Sequence, residues 1–202
     1  MQITTKYPNA GSDLLVVAKG PEDGDTKWLA IRGIGYLKFA DGVPFLELSL
    51  NSTSESERAN SARSLGEIGD ASAIEPLIAA LSNEQDSGVV EQTAAALQML
   101  HAKKAIPVLK SKIGNPSPQT RMWILGAVEN LSGRAELPFI ADSLNDPDIA
   151  VRHYSALAVQ RLSGQDFGFP DCVKRSGPCG FEEVPTQNAQ RWWLDHKKEW
   201  DQ

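Results

Sequence analysis

The sequence predicts an all-α fold, a right-handed α-α superhelix (an α-solenoid) of short paired helices closed by a helix at its C-terminal end. Three observations carry that prediction. A pattern of apolar and small residues recurs every 31 or 32 residues, and a shorter apolar pattern follows it at a fixed distance. Composition agrees, since 41% apolar residues in a chain of 202 exclude wholesale disorder and suffice for several stacked units.

The first pattern is anchored at Leu37, Ile68, Leu100, Leu131 and Leu162, with spacings of 31, 32, 31 and 31. Three residues before each anchor stands an apolar side chain: Ile34, Leu65, Leu97, Val128 and Val159. Four before stands a small one: Gly33, Ser64, Ala96, Ala127 and Ala158. Six before come Ile31, Ala62, Ala94, Leu125 and Ala156. These offsets make one stripe of an α-helix, with a small residue where a neighbouring helix comes close. They predict A helices near 26–38, 56–69, 87–101, 118–132 and 148–163.

Nine residues after each of the first four anchors come Leu46, Leu77, Leu109 and Ile140, each followed four later by Leu50, Leu81, Ile113 and Leu144. An i, i+4 apolar pair in phase predicts shorter B helices near 43–51, 73–82, 105–114 and 136–145. Pro44, Pro107 and Pro138 stand two residues ahead of their apolar residue, where a first helical turn tolerates proline; Pro76 is one position late. Asn83, Asn115-Pro116 and Asn145-Asp146-Pro147 separate the units. Ser-Asp-Leu-Leu-Val-Val-Ala-Lys at 12–19 suits a lone B helix capping the front, and suits a β-strand nearly as well.

The C-terminal part departs from the repeat. Phe167-Gly168-Phe169-Pro170 and Gly177-Pro178-Cys179-Gly180-Phe181 read as irregular loop. Cys172 and Cys179 enclose six residues and suit either reduced thiols, in a cytosolic setting, or a loop disulfide. A final helix then runs to Trp200, with Ala189, Trp192, Trp193, His196 and Trp200 on one face. That stripe suits a lid on the last repeat, and three tryptophans also suit a partner site. The expected organisation is an N-terminal cap or half repeat at 1–25 and repeats across 26–164 (26–52, 56–83, 87–115, 117–146 and 147–164). An irregular loop at 165–185 and a capping helix at 186–202 complete it.

The blocks Glu57-Arg58-Ala59, Ala62-Arg63-Ser64-Leu65-Gly66-Glu67-Ile68-Gly69-Asp70 and Ala73-Ile74-Glu75-Pro76-Leu77-Ile78-Ala79-Ala80-Leu81 share a common style with Asn145-Asp146-Pro147-Asp148-Ile149-Ala150-Val151-Arg152. They resemble the short HEAT-like repeats first described in phycobilisome lyases. The resemblance covers about 26–163 and implies the fold above, with B helices lining the concave face. It implies a range of functions: bilin attachment, scaffolding, immunity to toxins, or DNA alkyl-base glycosylase activity. No catalytic motif of those enzymes is matched in this sequence.

Charge and chemistry narrow the range. Twenty Lys and Arg against 26 Asp and Glu give a formal charge of −6 and a pI near 5.1, which speaks against nucleic acid and fits a cytoplasmic protein. No run approaches the roughly 18 apolar residues of a membrane helix, and no secretory signal is expected. His101, His153 and His196 lack metal-ligand spacing with one another or with a cysteine, and no Ser–His–Asp arrangement occurs, so neither metal, cofactor nor catalytic residue is expected. His101 follows an A-helix anchor, where a cationic contact with the helix C-terminus is expected. Arg58, Arg121 and Arg152 lie ten residues before their anchors, as Lys27 does. They read as inter-repeat ion pairs or carbonyl contacts, or else as a ladder for an acidic partner. The expected partner-binding residues are non-anchor positions of the B helices: Glu47, Lys110, Lys112 and Asp142. Together these features predict a non-catalytic protein-binding scaffold or adaptor, with an inhibitor or immunity protein masking a basic partner as a special case. The alternative is a chromophore-handling enzyme resembling the bilin lyases.

Overall fold

The computed structural model describes residues 8–20, 25–170 and 183–200, and among these all regular structure is helical. The chain forms two compact units, Met1–Ser111 and Lys112–Gln202. The first unit holds α1 (Ala10–Lys19), α2 (Asp25–Tyr36), α3 (Val43–Ser49), α4 (Glu55–Ile68), α5 (Ile74–Asn83), α6 (Ser87–Met99) and α7 (Ile106–Ser111). The second holds α8 (Pro118–Ser132), α9 (Leu137–Asp142), α10 (Ile149–Ser163) and α11 (Glu183–His196). The A helices are α2, α4, α6, α8 and α10, and the B helices α3, α5, α7 and α9. Each B helix is entered through a turn of 3-10 helix, such as Ala71–Ala73.

Side-chain caps start the later A helices. Ser54 Oγ accepts from the Glu57 amide, Asp86 from Val89, Ser117 from Thr120, and Asp148 from Ala150 and Val151. Two of them end on a left-handed glycine: Gly69 lies at φ 84° and Gly164 at φ 78°. Lys38 and His101 stand where Gly69 stands in the repeat, and both adopt φ 51° without being glycine. Such a residue costs roughly 1 kcal/mol of strain. At His101 the backbone closes the helix, its N–H donating to the Gln98 carbonyl at 3.0 Å.

Segment 12–19 is helical and belongs to α1. Gly11 and Ala18, seven residues apart, are buried, while Val16 is 72% exposed, so one face meets the protein and the other meets solvent. Gly33 admits this helix: a Cβ there would sit 2.7 Å from Leu14 Cδ1. Four consecutive apolar residues, Leu14 to Val17, hide this periodicity from a sequence reading.

In the first unit the fully buried side chains include Ile31, Ile34, Leu46, Leu65, Leu77, Leu81, Leu97 and Leu109. Its A helices meet backbone to backbone. A Cβ on Gly35 would lie 2.7 Å from Ser64 Cα, and one on Gly66 would lie 2.7 Å from Ala96 Cα. Ser64 Oγ donates to the Ile31 carbonyl across the first contact at 2.9 Å, deep in the core. The B helices α3 and α5 approach each other far less. In a stack of helix pairs the more closely spaced row lies inside the bend. The A helices therefore take the inner side within this unit, where the family resemblance led us to expect the B helices.

In the second unit Leu125, Leu137, Ile140, Leu144, Val151 and Val159 share one buried cluster with Phe167, Phe169, Ala189 and Trp193. Helix α11 starts at Glu183, ahead of the expected 186, with Pro185 in its first turn. It is fixed by Gln190 Nε2 donating to the Leu144 carbonyl at 2.7 Å and Asn188 Nδ2 donating to the Phe167 carbonyl at 3.0 Å. Trp193 is in the core, Trp192 stacks on His196 at 4.9 Å, and the Arg134 guanidinium sits 5.1 Å from the Trp200 ring centre. Residues 165–170 are irregular; Cys172 and Cys179 lie outside the described residues. Among the described residues no helix is long and apolar enough to cross a membrane.

Because the Cβ of an alanine at 66 would press on backbone and not on a flexible side chain, Gly66→Ala is expected to cost about 1–3 kcal/mol. Gly114 has nothing within 4 Å of such a Cβ, and Gly114→Ala should stay within about 0.5 kcal/mol of the parent. Thermal melts of the two variants side by side check the contrast.

Candidate functional site

The contacts at Gly35, Ser64, Gly66 and Ala96 all fall in the C-terminal halves of α2, α4 and α6. Beside these contacts the same helices leave room. A groove of about 390 Å³ lies there, with Arg32 from α2, Glu55, Ser56, Ala59, Asn60 and Arg63 from α4, and Asp86, Gly88 and Gln92 from the start of α6. A smaller one of about 210 Å³ lies between the starts of α2 and α4, lined by Asp25, Lys27, Trp28, Ile31, Ser54, Ser56 and Glu57. Trp28 Nε1 donates to Asp25 Oδ1 at 3.0 Å beside it.

The charges of the larger groove differ in their commitments. Arg63 Nε is held by Glu67 at 2.8 Å, and Asp86 accepts from the Val89 amide at 2.9 Å. Arg32 Nε is buried and has no hydrogen-bond partner. Leu29, Asn60 and Gln92 occupy one position, eight residues before the anchors Leu37, Ile68 and Leu100, and form a row facing outward from the A helices. Leu29 is 54% exposed. Tyr36 and Met99, each one residue before its anchor, are exposed as well. Neither groove is lined by a histidine or cysteine, and no group of three or more metal-ligating side chains occurs among the described residues. The lining offers hydrogen bonds and charge, which is the chemistry of recognition.

The cation series at the A-helix starts is tied internally. Arg58 Nε and Nη2 donate to Glu84 at 2.7 and 3.1 Å while Nη1 donates to the Ser52 and Thr53 carbonyls. Arg121 repeats this on Asp146, at 2.8 and 2.7 Å, and on the Asn115 and Pro116 carbonyls. Arg152 Nη1 donates to the Asp146 and Pro147 carbonyls, and Lys27 Nζ lies 3.2 Å from Glu57. Burial pushes the Asp146 carboxyl up, but the hydrogen bond and charge of Arg121 outweigh it and hold the group below the usual value. Glu84 is likewise pushed up by burial and carried below its usual value by Arg58.

The B-helix candidates are divided between the two units. Glu47 on α3 and Lys110 on α7 are half-buried in the first unit. Lys112, half-buried in a turn, and Asp142, exposed at the end of α9, belong to the second. None of the four lines either groove. The residues that do, Arg32, Asn60, Arg63 and Gln92 among them, were passed over by the sequence reading. Their signal was available: positions five and eight before each anchor change character from repeat to repeat while the anchors stay apolar.

On the A helices of the second unit the corresponding positions hold Trp123, 41% exposed, and Tyr154. Gly126 makes room for Tyr154, since a Cβ there would be 2.8 Å from the tyrosine hydroxyl. Arg161 clasps Glu129 through two donors at 2.9 and 2.8 Å. Burial and then the nearby Glu129 charge raise the Tyr154 hydroxyl above its ordinary value, so it stays a neutral donor.

Residues 12–98 match the family model for HEAT repeats. Over those residues the chain carries HEAT-like repeats. Among solved structures it is similar to a chain of the CpcE–CpcF complex of phycocyanin lyase from Nostoc sp. PCC7120, with a TM-score of 0.60 and 19% identity over 96% of this chain and 77% of that one. It is similar also to YibA of E. coli, with a TM-score of 0.60 and 15% identity over 98% of this chain and 80% of that one. At these identities the likeness is one of fold. No curated protein matches the sequence. The HEAT-like repeats thus explain the A and B helices, while the grooves belong to this chain's own side chains.

The side chains of Arg121 and Asp146 are only 10% and 8% exposed, so removing one partner strands a buried charge. Arg121→Ala is expected to cost about 3 kcal/mol. A lowered carboxyl stabilises the fold above its unfolded value, about 3.9 for Asp, and that contribution is lost as pH falls through the folded value. The stability gap between parent and Asp146→Asn should therefore be widest near neutrality and shrink below about pH 4, as read by urea unfolding across pH.

Proposed function

We propose that this HEAT-like chain is a protein-interaction module that holds its partner on the outward side of the A helices in the first unit. The observation that carries the reading is the larger groove, open between three successive A helices and lined by donors, acceptors and one guanidinium lacking a partner. Exposed Leu29, Tyr36 and Met99 supply apolar surface on the same helices. Backbone-to-backbone packing beneath makes the surface rigid, which lowers the ordering cost of binding. A role as scaffold or adaptor follows from that. The formal charge of −6 favours encounter with a basic partner, which is the inhibitor case.

The alternative, handling of a chromophore, is supported by the likeness to a phycocyanin lyase chain, at 19% identity. The two readings separate by experiment. Cross-linking in native lysate followed by mass spectrometry should recover a protein partner with the parent and with the B-helix double variant Glu47→Lys/Lys110→Glu. The A-helix double variant Asn60→Arg/Gln92→Arg should lose it. Loss with the B-helix variant alone would move the surface to the other face. Recovery of no partner, with visible absorbance from a bound chromophore on the purified chain, would favour the alternative.

A further inference from the structure

We propose that the groove between α2, α4 and α6 is a carboxylate-binding site in which the Arg32 guanidinium takes a Glu or Asp side chain of the bound protein. This rests on the interaction reading above and names the chemistry of its anchor.

The argument begins with what Arg32 lacks. Buried N–H donors in folded proteins almost always have acceptors, and a guanidinium carries five. The other cations on the A helices of this unit are supplied: Lys27 by Glu57, Arg58 by Glu84 and Arg63 by Glu67. Arg32 Nε is buried with no acceptor, and the Arg32 side chain lines a groove with room for a side chain and its flanking backbone. The local acids do not fill the gap. Asp86 is engaged by the Val89 amide, and Glu55, exposed in the first turn of α4, makes no hydrogen bond to Arg32.

Those two acids also select the ligand. A phosphate, near two negative charges, would face Glu55 and Asp86 at close quarters, whereas a carboxylate brings a single charge in a shape that a guanidinium fork matches with two hydrogen bonds. Ser56, Asn60 and Gln92 add hydroxyl and amide groups able to bond the backbone on either side of the incoming residue. The recognised element is thus an acidic residue on a protein segment, set in a groove where Arg32 and Arg63 stand against Glu55 and Asp86.

The test uses the intact chain labelled with nitrogen-15 and follows the Arg32 Nε–Hε signal, identified by its absence in Arg32→Gln. The probes are N-acetyl-glutamate amide, its neutral glutamine counterpart and inorganic phosphate, all at matched ionic strength. The expected result is a saturable shift with the glutamate compound, none with the glutamine one, and binding of phosphate roughly tenfold weaker. Glu55→Gln, which removes a like charge, should tighten the glutamate compound about twofold to threefold. Equal responses to the two amides, phosphate binding tighter than the glutamate compound, or weaker binding in Glu55→Gln would overturn the assignment. Arg32→Lys, which also lacks the Nε–Hε group and keeps the charge, identifies the signal if Arg32→Gln proves unstable. If the A-helix variant loses its partner while no probe moves the Arg32 signal, the carboxylate claim fails and the interaction reading survives.

Discussion

Gly35 resting on Ser64 and Gly66 resting on Ala96 bring successive A helices together with no side chain between their backbones. Close approach of this kind is gained through dispersion over many atoms and through the Ser64 hydroxyl, which bonds the Ile31 carbonyl across the contact. Beside this pinch α2, α4 and α6 leave a groove. Arg32, Asn60, Arg63 and Gln92 happen to edge it. The same pinch puts the A row inside the bend of this unit and leaves the B helices outside.

A second device keeps neighbouring repeats in register. Arg58 and Arg121 each grip two carbonyls of the loop before their own helix and a carboxylate from the loop before the next one. One guanidinium thereby ties three segments, using most of its donors in directions a lysine could not serve. Lys27, at the same position of the first repeat, manages a single ion pair with Glu57. The electrostatics of the inner structure are settled this way, which makes the lack of a partner at Arg32 a difference in kind from the other cations nearby.

The fold was legible because burial imposes a period. The anchors and the small residues four before them must repeat if the helices are to stack, and a period of 31 or 32 is hard to produce otherwise. Features without a period were harder. The helix at 12–19 is masked by four adjacent apolar residues, and the left-handed backbone at Lys38 and His101 carries no glycine to announce it. The grooves were illegible for a different reason. Periodicity separates buried from free faces, but two free faces, one on the A and one on the B helices, look alike until the spacing of the rows is known. That spacing depends on contacts at Gly35 and Gly66, and glycine at these sites reads in the sequence only as a weak helix former.

The ties between elements are short in sequence. Arg58 reaches 26 residues ahead, Arg121 reaches 25, and Ser64 reaches back 33, each about one repeat. Stress applied along the chain would be borne by these links in series, one after another, and not shared among them as it is across a sheet. A helix pair freed at one end takes with it only the bonds to its immediate neighbour. Loss of structure would then advance in steps of one repeat, and the chain could lengthen or shorten by whole repeats over evolutionary time without rebuilding what remains.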